Sequence, residues 1–199
     1  MLAFWDSLLF IKYITMATEV YASIERMVAL IRSEERKKCT EFGLQPVHFQ
    51  MLDYISRCNR YSDTPAALAS YLGMTRGTVS QTLLLLSRRD LIEKRIDSQD
   101  KRIVHLCLRP QGEVILDSIR STNLFSQASE ILSKTDVLSH EDTFLKALLA
   151  LQKANQSKTF GLCKTCNYFT TTDTGFTCGL THQSLTQSDS EKICQEHTV

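Results

Sequence analysis

The sequence predicts a mainly helical protein that carries one small β-hairpin, and two observations lead to this fold class. The 199 residues include only three Pro and seven Gly, so few residues interrupt helices. Between residues 64 and 108, two short helical patterns are followed by two β-prone runs that a polar turn separates. Helix, turn, helix and hairpin in this order make a winged helix-turn-helix, and apolar helical patterns flank it on both sides.

The first helix of the predicted pair begins at Thr64 and Pro65. A Thr side chain can cap the free N–H groups of a helix start, and Pro loses nothing at the first helical position. Gly73 stands where this helix must end, because a sharp turn favours a residue that tolerates positive φ. The apolar face of the helix consists of Leu68, Ala69 and Leu72. The next helix follows directly, with Thr75 as its cap.

The second helix has one apolar face and one polar face. Its inward stripe consists of Val79, Leu83 and Leu86. The polar face carries short or hydrogen-bonding side chains, which can approach a groove floor or phosphates without bulk. Gln81 could pair with adenine, and Arg76 with guanine or a phosphate. The candidate DNA contacts here are Thr75, Arg76, Gly77, Thr78, Ser80 and Gln81. For any one of them, an ordinary solvated helix face is the alternative.

A charged hairpin follows the two helices. Residues 91–95 and 103–108 are β-prone, and the polar segment 97–102 between them favours a turn. Two cations at this tip can reach the narrow minor groove of DNA, where negative potential is concentrated, while two carboxylates brace them. The cations are Lys101 and Arg102, and the supporting carboxylates are Asp97 and Asp100. A solvated surface loop is the alternative, but the preceding helix pair favours a DNA-binding wing.

These residues resemble the MarR family of bacterial transcription regulators. The family's wing follows the pattern Asp-x-x-Asp-x-Arg and then Leu-Thr-x-x-Gly. It stands here as Asp97, Asp100, Arg102, Leu108 and Gly112, with Arg109 in place of the usual Thr. The resemblance covers roughly residues 17–154. It implies sequence-specific binding of double-stranded DNA by a homodimer, with Arg102 acting in the wing, and a small-molecule or redox effector as a further partner.

The positive charge of the chain is concentrated near the predicted interface. The formal net charge is only +1, but residues 75–102 contain seven Lys or Arg against four Asp or Glu. A local positive potential of this kind suits a nucleic-acid partner. The sequence has no nucleophile–base pair, Gly-rich phosphate loop or catalytic carboxylate spacing, so no enzymatic function is expected.

Apolar stripes in the flanking helical patterns predict a homodimer. They occur in residues 17–38, 111–134 and 139–154, and a small domain cannot cover all of them alone. A second copy would bury this surface, and an internal helical core accounts for part of it. Two copies would also place two recognition helices one turn of DNA apart on a near-palindromic site.

The N-terminus and the domain boundaries complete the predicted organisation. Residues 1–15 are too short and too interrupted by charge for a membrane span, and they lack the basic start of a signal peptide. We expect translation to begin at Met16; an extra apolar segment buried in a dimer interface is the alternative. The remaining parts are a winged domain with dimerisation helices at 16–154 (core 45–112), a linker at 155–162 and a cysteine-rich segment at 163–199.

Four of the seven cysteines cluster near the C-terminus. Their spacing is Cys-x2-Cys, then eleven and fifteen intervening residues, which lets four thiolates surround a metal ion. The segment is too short and polar to fold by apolar burial alone, so a metal would supply its folding energy. The predicted ligands are Cys163, Cys166, Cys178 and Cys194, with His182 and His197 as alternates for the fourth position.

Zinc in a structural site is the first choice for this metal. The pattern also looks like small cysteine modules that hold an iron–sulfur cluster, so a cubane cluster is the main alternative. Disulfides are disfavoured because a DNA-binding protein without an export signal works in a reducing cytoplasm. The sequence thus predicts a cytoplasmic, dimeric DNA-binding regulator with a metal-binding tail and no membrane partner. The alternative is a metal-dependent redox or assembly module that uses the winged domain as a protein-interaction surface.

Overall fold

The computed structural model describes residues 2–121, 148, 152, 159–172 and 175–198. The chain divides into two compact units, residues 1–46 and residues 47–199. Most of the two apolar patterns at 111–134 and 139–154, which predicted dimerisation helices, lies outside the described residues. Among the described residues, no helix is both long and apolar enough to cross a membrane.

The first unit is built on one long helix, α1 (Leu2–Glu41). The helix ends in a turn where Gly43 has a φ of 62° and the Leu44 N–H donates to the Cys39 carbonyl oxygen at 2.8 Å. The helix runs unbroken through Met16. A start of translation at Met16 stays a prediction. Several large apolar side chains of this helix are exposed, namely Tyr21, Met27, Val28 and Leu30.

The three helices of the predicted DNA-binding domain come next, and the first of them starts at the boundary between the two units. These are α2 (Pro46–Arg57), α3 (Pro65–Leu72) and α4 (Arg76–Arg88). The predicted caps are confirmed, because the side chains of Thr64 and Thr75 accept hydrogen bonds from the backbone N–H groups of Ala67 and Thr78. Gly73 ends α3 in the left-handed conformation, with a φ of 64°. Turn chemistry therefore fixes both ends of the α3–α4 connection.

The hairpin and the next helix close the winged fold. Strands β1 (Ile92–Ile96) and β2 (Val104–Leu108) pair antiparallel, with Ile92 opposite Leu108. Helix α5 (Pro110–Arg120) follows, and Arg109 at its N-cap makes no capping hydrogen bond, as expected for the residue that replaces Thr. The largest fully buried side chains come from all these elements: Met51, Leu52, Tyr54, Leu68, Val79, Leu83, Leu86, Leu91, Ile92, Leu106, Leu116 and Ile119. The predicted winged helix-turn-helix is thus confirmed as the fold class.

The C-terminal residues form a small folded module, which we call the cysteine module (residues 159–172 and 175–198). Its elements are β3 (Gly161–Leu162), a 3-10 turn (Cys163–Thr165), β4 (Phe169–Thr172), β5 (Gly175–Cys178), β6 (Ser184–Leu185), α6 (Gln187–Ser190) and β7 (Ile193–Cys194). Strand β3 pairs with β7, and β4, β5 and β6 form a three-stranded sheet. The module is a pair of short sheets held by turns.

The end of the predicted linker is part of this module. The sequence placed residues 155–162 in a linker, but residues 161 and 162 pair with β7. The Phe160 ring packs edge-on against Tyr71 of α3, with centroids 5.2 Å apart, and against Tyr54 of α2, with centroids 6.4 Å apart. Aromatic packing of this kind anchors the module to the winged domain.

Candidate nucleic-acid interface and cysteine cavity

The N-terminal half of α4 presents an exposed polar surface. Its inward residues Val79 and Leu83 are fully buried, which fixes the rotation of the helix. A Cβ on Gly77 would meet only the Thr75 side chain, at 3.9 Å, so the backbone here is open to a close approach. All six predicted contacts of this helix are exposed: Thr75, Arg76, Gly77, Thr78, Ser80 and Gln81.

The wing tip is a hydrogen-bonded turn that displays two cations. One carboxylate oxygen of Asp97 accepts from the backbone N–H groups of Gln99 and Asp100, at 2.7 and 2.8 Å, and these bonds lower the pKa of Asp97. The Asp100 carboxylate holds the Arg102 guanidinium through two hydrogen bonds of 3.0 and 3.1 Å, which lower the pKa of Asp100. The Arg102 side chain is 90% exposed and Lys101 is exposed as well. The tip is therefore ordered, and its positive charge faces solvent.

A histidine connects this wing to the helix pair, and the sequence analysis missed it. His105 of β2 lies between two carboxylates, with Nδ1 2.6 Å from Asp63 and Nε2 3.2 Å from Asp97. Asp63 directly precedes the cap of α3, and its carbonyl oxygen accepts from the Leu106 N–H at 2.7 Å. Because Asp63 and His105 are 42 positions apart, no local pattern could indicate the pair. The trio braces the wing against the start of α3.

The ionisation of His105 makes this brace sensitive to pH. The Asp63 carboxylate, and after it Asp97, raise the pKa of His105 above its ordinary value, although burial acts in the opposite direction. Burial also raises the pKa of Asp63 and outweighs the lowering effect of His105. The positive imidazolium between two carboxylates is the charge state that this geometry favours.

We therefore expect the brace to stabilise the winged domain below the ordinary histidine pKa of about 6.5 and to be lost as pH rises through the higher folded pKa. Replacing His105 by Gln should lower the free energy of unfolding by about 1.5 kcal/mol at pH 6 and by less at pH 8.5. Denaturant titrations of both proteins at the two pH values measure this. A deficit that is the same at both values would show that the histidine charge plays no part.

The four C-terminal cysteines line a single cavity in the second unit. Its volume is about 30 Å³, and its other lining residues include Asn59, Tyr61 and Thr181. The cysteines are Cys163, Cys166, Cys178 and Cys194, and all of them are free thiols. In the described part of the chain, however, no three His, Cys, Asp or Glu side chains are so arranged that they could hold a metal ion. The thiols thus share one cavity without forming a ready set of ligands.

The two histidines proposed as alternate ligands lie elsewhere. His182 is exposed, with a φ of 55°, and does not line the cavity. His197 is buried, and its ring nitrogens face the hydroxyl groups of Thr159 and Thr165, at 3.4 and 2.9 Å. A Cβ on Gly161 would lie 2.6 Å from this ring, so the glycine makes room for it. His197 therefore has a packing role in this arrangement.

The thiols of the cavity influence each other's ionisation. Burial, followed by the other three cysteines, raises the pKa of Cys163 to about 11. At Cys178 burial acts in the same direction. Hydrogen bonds from the Thr181 hydroxyl and from the backbone N–H groups of Thr181 and Leu180 outweigh it there and lower the pKa. Several thiolates in one cavity repel each other, so a cation between them would be strongly favoured.

One wall of the cavity comes from the loop between α2 and α3. The Asn59 N–H donates to the Ile193 carbonyl oxygen at 2.9 Å, and the Ser62 hydroxyl oxygen accepts from the Gln195 N–H at 2.9 Å. The Arg60 guanidinium donates to the Ser184 carbonyl oxygen at 2.8 Å. Sequence reasoning did not find these contacts, which join segments more than 120 positions apart. The cysteine cavity and the DNA-binding helices are thus built on a common loop.

Comparisons with known proteins agree with this fold. Residues 42–103 match the model of the MarR family. The chain is similar to the crystal structure of the MarR family transcription regulator SP03579, at 20% identity and a TM-score of 0.54 over 70% of this chain and 92% of that one. It is also similar to S. aureus MepR in a DNA complex, at 23% identity and a TM-score of 0.51 over 68% and 97%. No curated protein matches. Residues 42–103 are thus similar in sequence to the MarR family, and the chain shares the winged-helix fold of these two structures.

Proposed function

We propose that this chain, whose winged domain is of the MarR type, is a sequence-specific DNA-binding transcription regulator without enzymatic activity. The observation that carries the proposal is that one winged domain exposes both the polar N-terminal half of α4 and a cationic wing tip. Helix α4 would enter the major groove, and the tip would reach the adjacent minor groove. MepR, which has a similar fold, is bound to DNA in the solved complex.

We further propose that the chain acts as a homodimer. The exposed apolar side chains of α1, among them Met27 and Leu30, are a surface that a second copy can bury. In the second unit, Val114 on α5 is 61% exposed. A dimer would place two α4 helices on one face of the duplex, as a near-palindromic operator requires. A small-molecule or redox effector acting on this dimer remains a proposal from the family resemblance.

Replacing Arg102 by Ala is expected to weaken operator binding by about tenfold, because a groove or phosphate cation is lost from each wing. The slope of log K against log salt should become shallower by about 0.9 for each phosphate contact removed. The measurement is a fluorescence anisotropy titration at several salt concentrations, with a duplex selected from a random library by the wild-type protein.

Arg95→Ala is the matched control for this prediction. Arg95 makes the same kind of two-bond pair, with Glu93, but it lies on β1 and not at the tip. The control loses one positive charge and should keep most of the affinity. If the Arg102 and Arg95 variants bind equally well and with the same salt slope, the wing tip is not a DNA contact. If no sequence is enriched from the library, the proposed function itself is wrong.

We propose in addition that the cysteine cavity holds one zinc ion. Four thiols on one cavity are a donor set that zinc prefers, and the ion would join the two short sheets of the module. Because the thiols are not a ready ligand set, binding would draw them inward.

Anaerobic purification of the full chain, followed by elemental analysis and a visible spectrum, tests the zinc proposal. A colourless protein with one zinc per chain is expected. A brown protein that contains iron and sulfide would show that the site holds an iron–sulfur cluster and not zinc. A metal-free protein that takes up no zinc in titration would exclude the site.

A further inference from the structure

We propose that Asn59 couples the cysteine cavity to DNA binding, by donating a hydrogen bond from its side-chain amide to a cysteine sulfur that holds a metal ion. The inference rests on the proposed function and on the zinc proposal, and it adds that zinc binding controls DNA binding. Metal in the cavity fixes the α2–α3 loop in the conformation that binds DNA, and loss of the metal releases it. Asn59 is a positioning residue in this scheme.

The state of the Asn59 side chain carries the proposal. Asn59 is only 1% exposed and lines the same cavity as the four cysteines. Its Oδ1 accepts a hydrogen bond from the Tyr61 N–H at 3.1 Å, which fixes the orientation of the amide group. Its Nδ2 is buried and has no hydrogen-bond partner among the residues that the structure describes. A residue in the wall of a cavity lined by thiols therefore carries a buried amide nitrogen with two donors and no acceptor in the described part of the chain.

A buried hydrogen-bond donor without a partner indicates that a bound state of the protein supplies the acceptor. Leaving such a group unsatisfied is unfavourable, and most buried polar groups in proteins are paired. Sulfur is a weak acceptor in a neutral thiol and a stronger one when the thiolate is bound to a metal, because it then carries negative charge. Outer donors of this kind orient metal ligands and tune the site. The amide would gain its partner when the thiolates close around the ion.

The backbone around Asn59 transmits this contact to the DNA-binding elements. The Asn59 carbonyl oxygen accepts from the Ser62 N–H at 2.9 Å, so the loop forms a tight turn. The Tyr54 hydroxyl on α2 donates to the Ser62 carbonyl oxygen at 2.7 Å. The next residues are Asp63, which braces the wing through His105, and Thr64, which caps α3. A shift of the loop would therefore move both the wing and the start of the helix pair.

The test measures two affinities of the full chain, and the probe ion is zinc alone. The first is DNA affinity for the library-selected duplex, with zinc-saturated and with zinc-depleted protein. The second is zinc affinity, by competition with a chromophoric chelator, with and without the duplex. We expect zinc removal to weaken DNA binding by about tenfold, and DNA to strengthen zinc binding by the same factor, since coupling is reciprocal and typically amounts to roughly 5–150-fold.

Asn59→Ser removes the amide donor and keeps the turn of the loop, so it tests the donor alone. A serine oxygen can still accept from the Tyr61 N–H, so the turn is kept while Nδ2 is removed. The variant should bind one zinc, and both coupling factors should fall toward one. Thr172→Ala is the control, because the Thr172 hydroxyl donates to the Gly175 carbonyl oxygen, at 3.2 Å, within the β4–β5 hairpin of the cysteine module. This variant should keep the wild-type coupling.

The outcomes separate the three proposals. If a DNA sequence is enriched but its affinity is independent of zinc, the coupling is wrong and the DNA-binding function stands. If Asn59→Ser retains the full coupling, or loses the ion altogether, the role given to Asn59 is overturned. If no sequence is enriched, the DNA-binding function fails and the coupling fails with it. If the wild-type chain binds no zinc, the metal site and the coupling are both excluded.

Discussion

Replacing Gly112 by Ala should lower the free energy of unfolding of the winged domain by about 3 kcal/mol or more. A Cβ at this position would lie 2.1 Å from the carbonyl oxygen of Leu91 and 3.1 Å from its carbonyl carbon. Both are backbone atoms, and they cannot rotate aside as the end of a side chain can. Overpacking of a core usually costs about 1–3 kcal/mol, and a rigid neighbour places this case at the upper end.

The surroundings of Leu91 explain why the backbone cannot give way. The Leu91 N–H donates to the Leu86 carbonyl oxygen at 3.0 Å, and its carbonyl oxygen accepts from the Arg109 N–H at 3.0 Å. Its side chain is 1% exposed. Moving this residue would disturb the end of α4, the start of the wing and the start of α5 together. The glycine is thus required by a close approach of backbone and helix.

Gly77→Ala provides a matched control for this substitution. Gly77 lies in the first turn of α4, and an added Cβ would make only an ordinary contact at 3.9 Å. Alanine is a better helix former than glycine by about 1 kcal/mol, so the control should be neutral or slightly stabilising. Chemical denaturation of the two variants and the wild type gives the comparison. Equal stability of the two variants would mean that α5 can move away from Leu91.

The parts of the fold that the sequence predicted are those that local rules determine. Caps at Thr64 and Thr75 and a left-handed Gly73 depend on residues within a few positions of each other, so they could be read directly. The wing hairpin was predictable for the same reason, since its β-prone runs flank a polar turn. Binary patterning then placed Val79 and Leu83 inside.

The features that were not predicted depend on contacts between distant segments. The contact between His105 and Asp63 depends on the tertiary packing of the wing against the helix pair. Asn59 and Ser62 belong to an unremarkable polar loop until the cysteine module packs on them. The spacing of the cysteines indicated which thiols come together, and the structure shows that all four line one cavity. The cysteine spacing did not indicate that the winged domain would form part of the wall of this cavity.

If the cysteine cavity holds the proposed zinc ion, replacing Cys163 by Ser is expected to abolish zinc binding and to unfold most of the cysteine module. The module buries few apolar side chains in the described residues, chiefly Leu185 and Ile193 besides Cys163 itself, and β3 and β7 are two residues long each. Apolar burial of this extent cannot offset the ordering entropy of such a segment. In small zinc-binding peptides the metal contributes about 10–16 kcal/mol, so losing one of four ligands should cost the module at least about 5 kcal/mol.

Cys163 is the most informative of the four positions. It is the buried cysteine of the cavity, 5% exposed, and its N–H donates to the Lys192 carbonyl oxygen at 3.0 Å, so it joins the start and the end of the module. The readouts are zinc content by elemental analysis and the rate of cleavage within residues 159–198 by a protease of broad specificity. The variant should contain no zinc and should be cleaved much faster than the wild type.

Cys107→Ser is the control that separates loss of a ligand from loss of a thiol. Cys107 lies on β2, is partly buried and does not line the cavity, so this variant should keep one zinc and the wild-type resistance to protease. Chelator treatment of the wild type should reproduce the Cys163→Ser result, because both remove the same cross-link. A Cys163 variant that keeps its zinc would show that Cys163 is not a ligand. A variant that loses its zinc but keeps its protection would show that the module is held by packing alone and that the metal has no structural role.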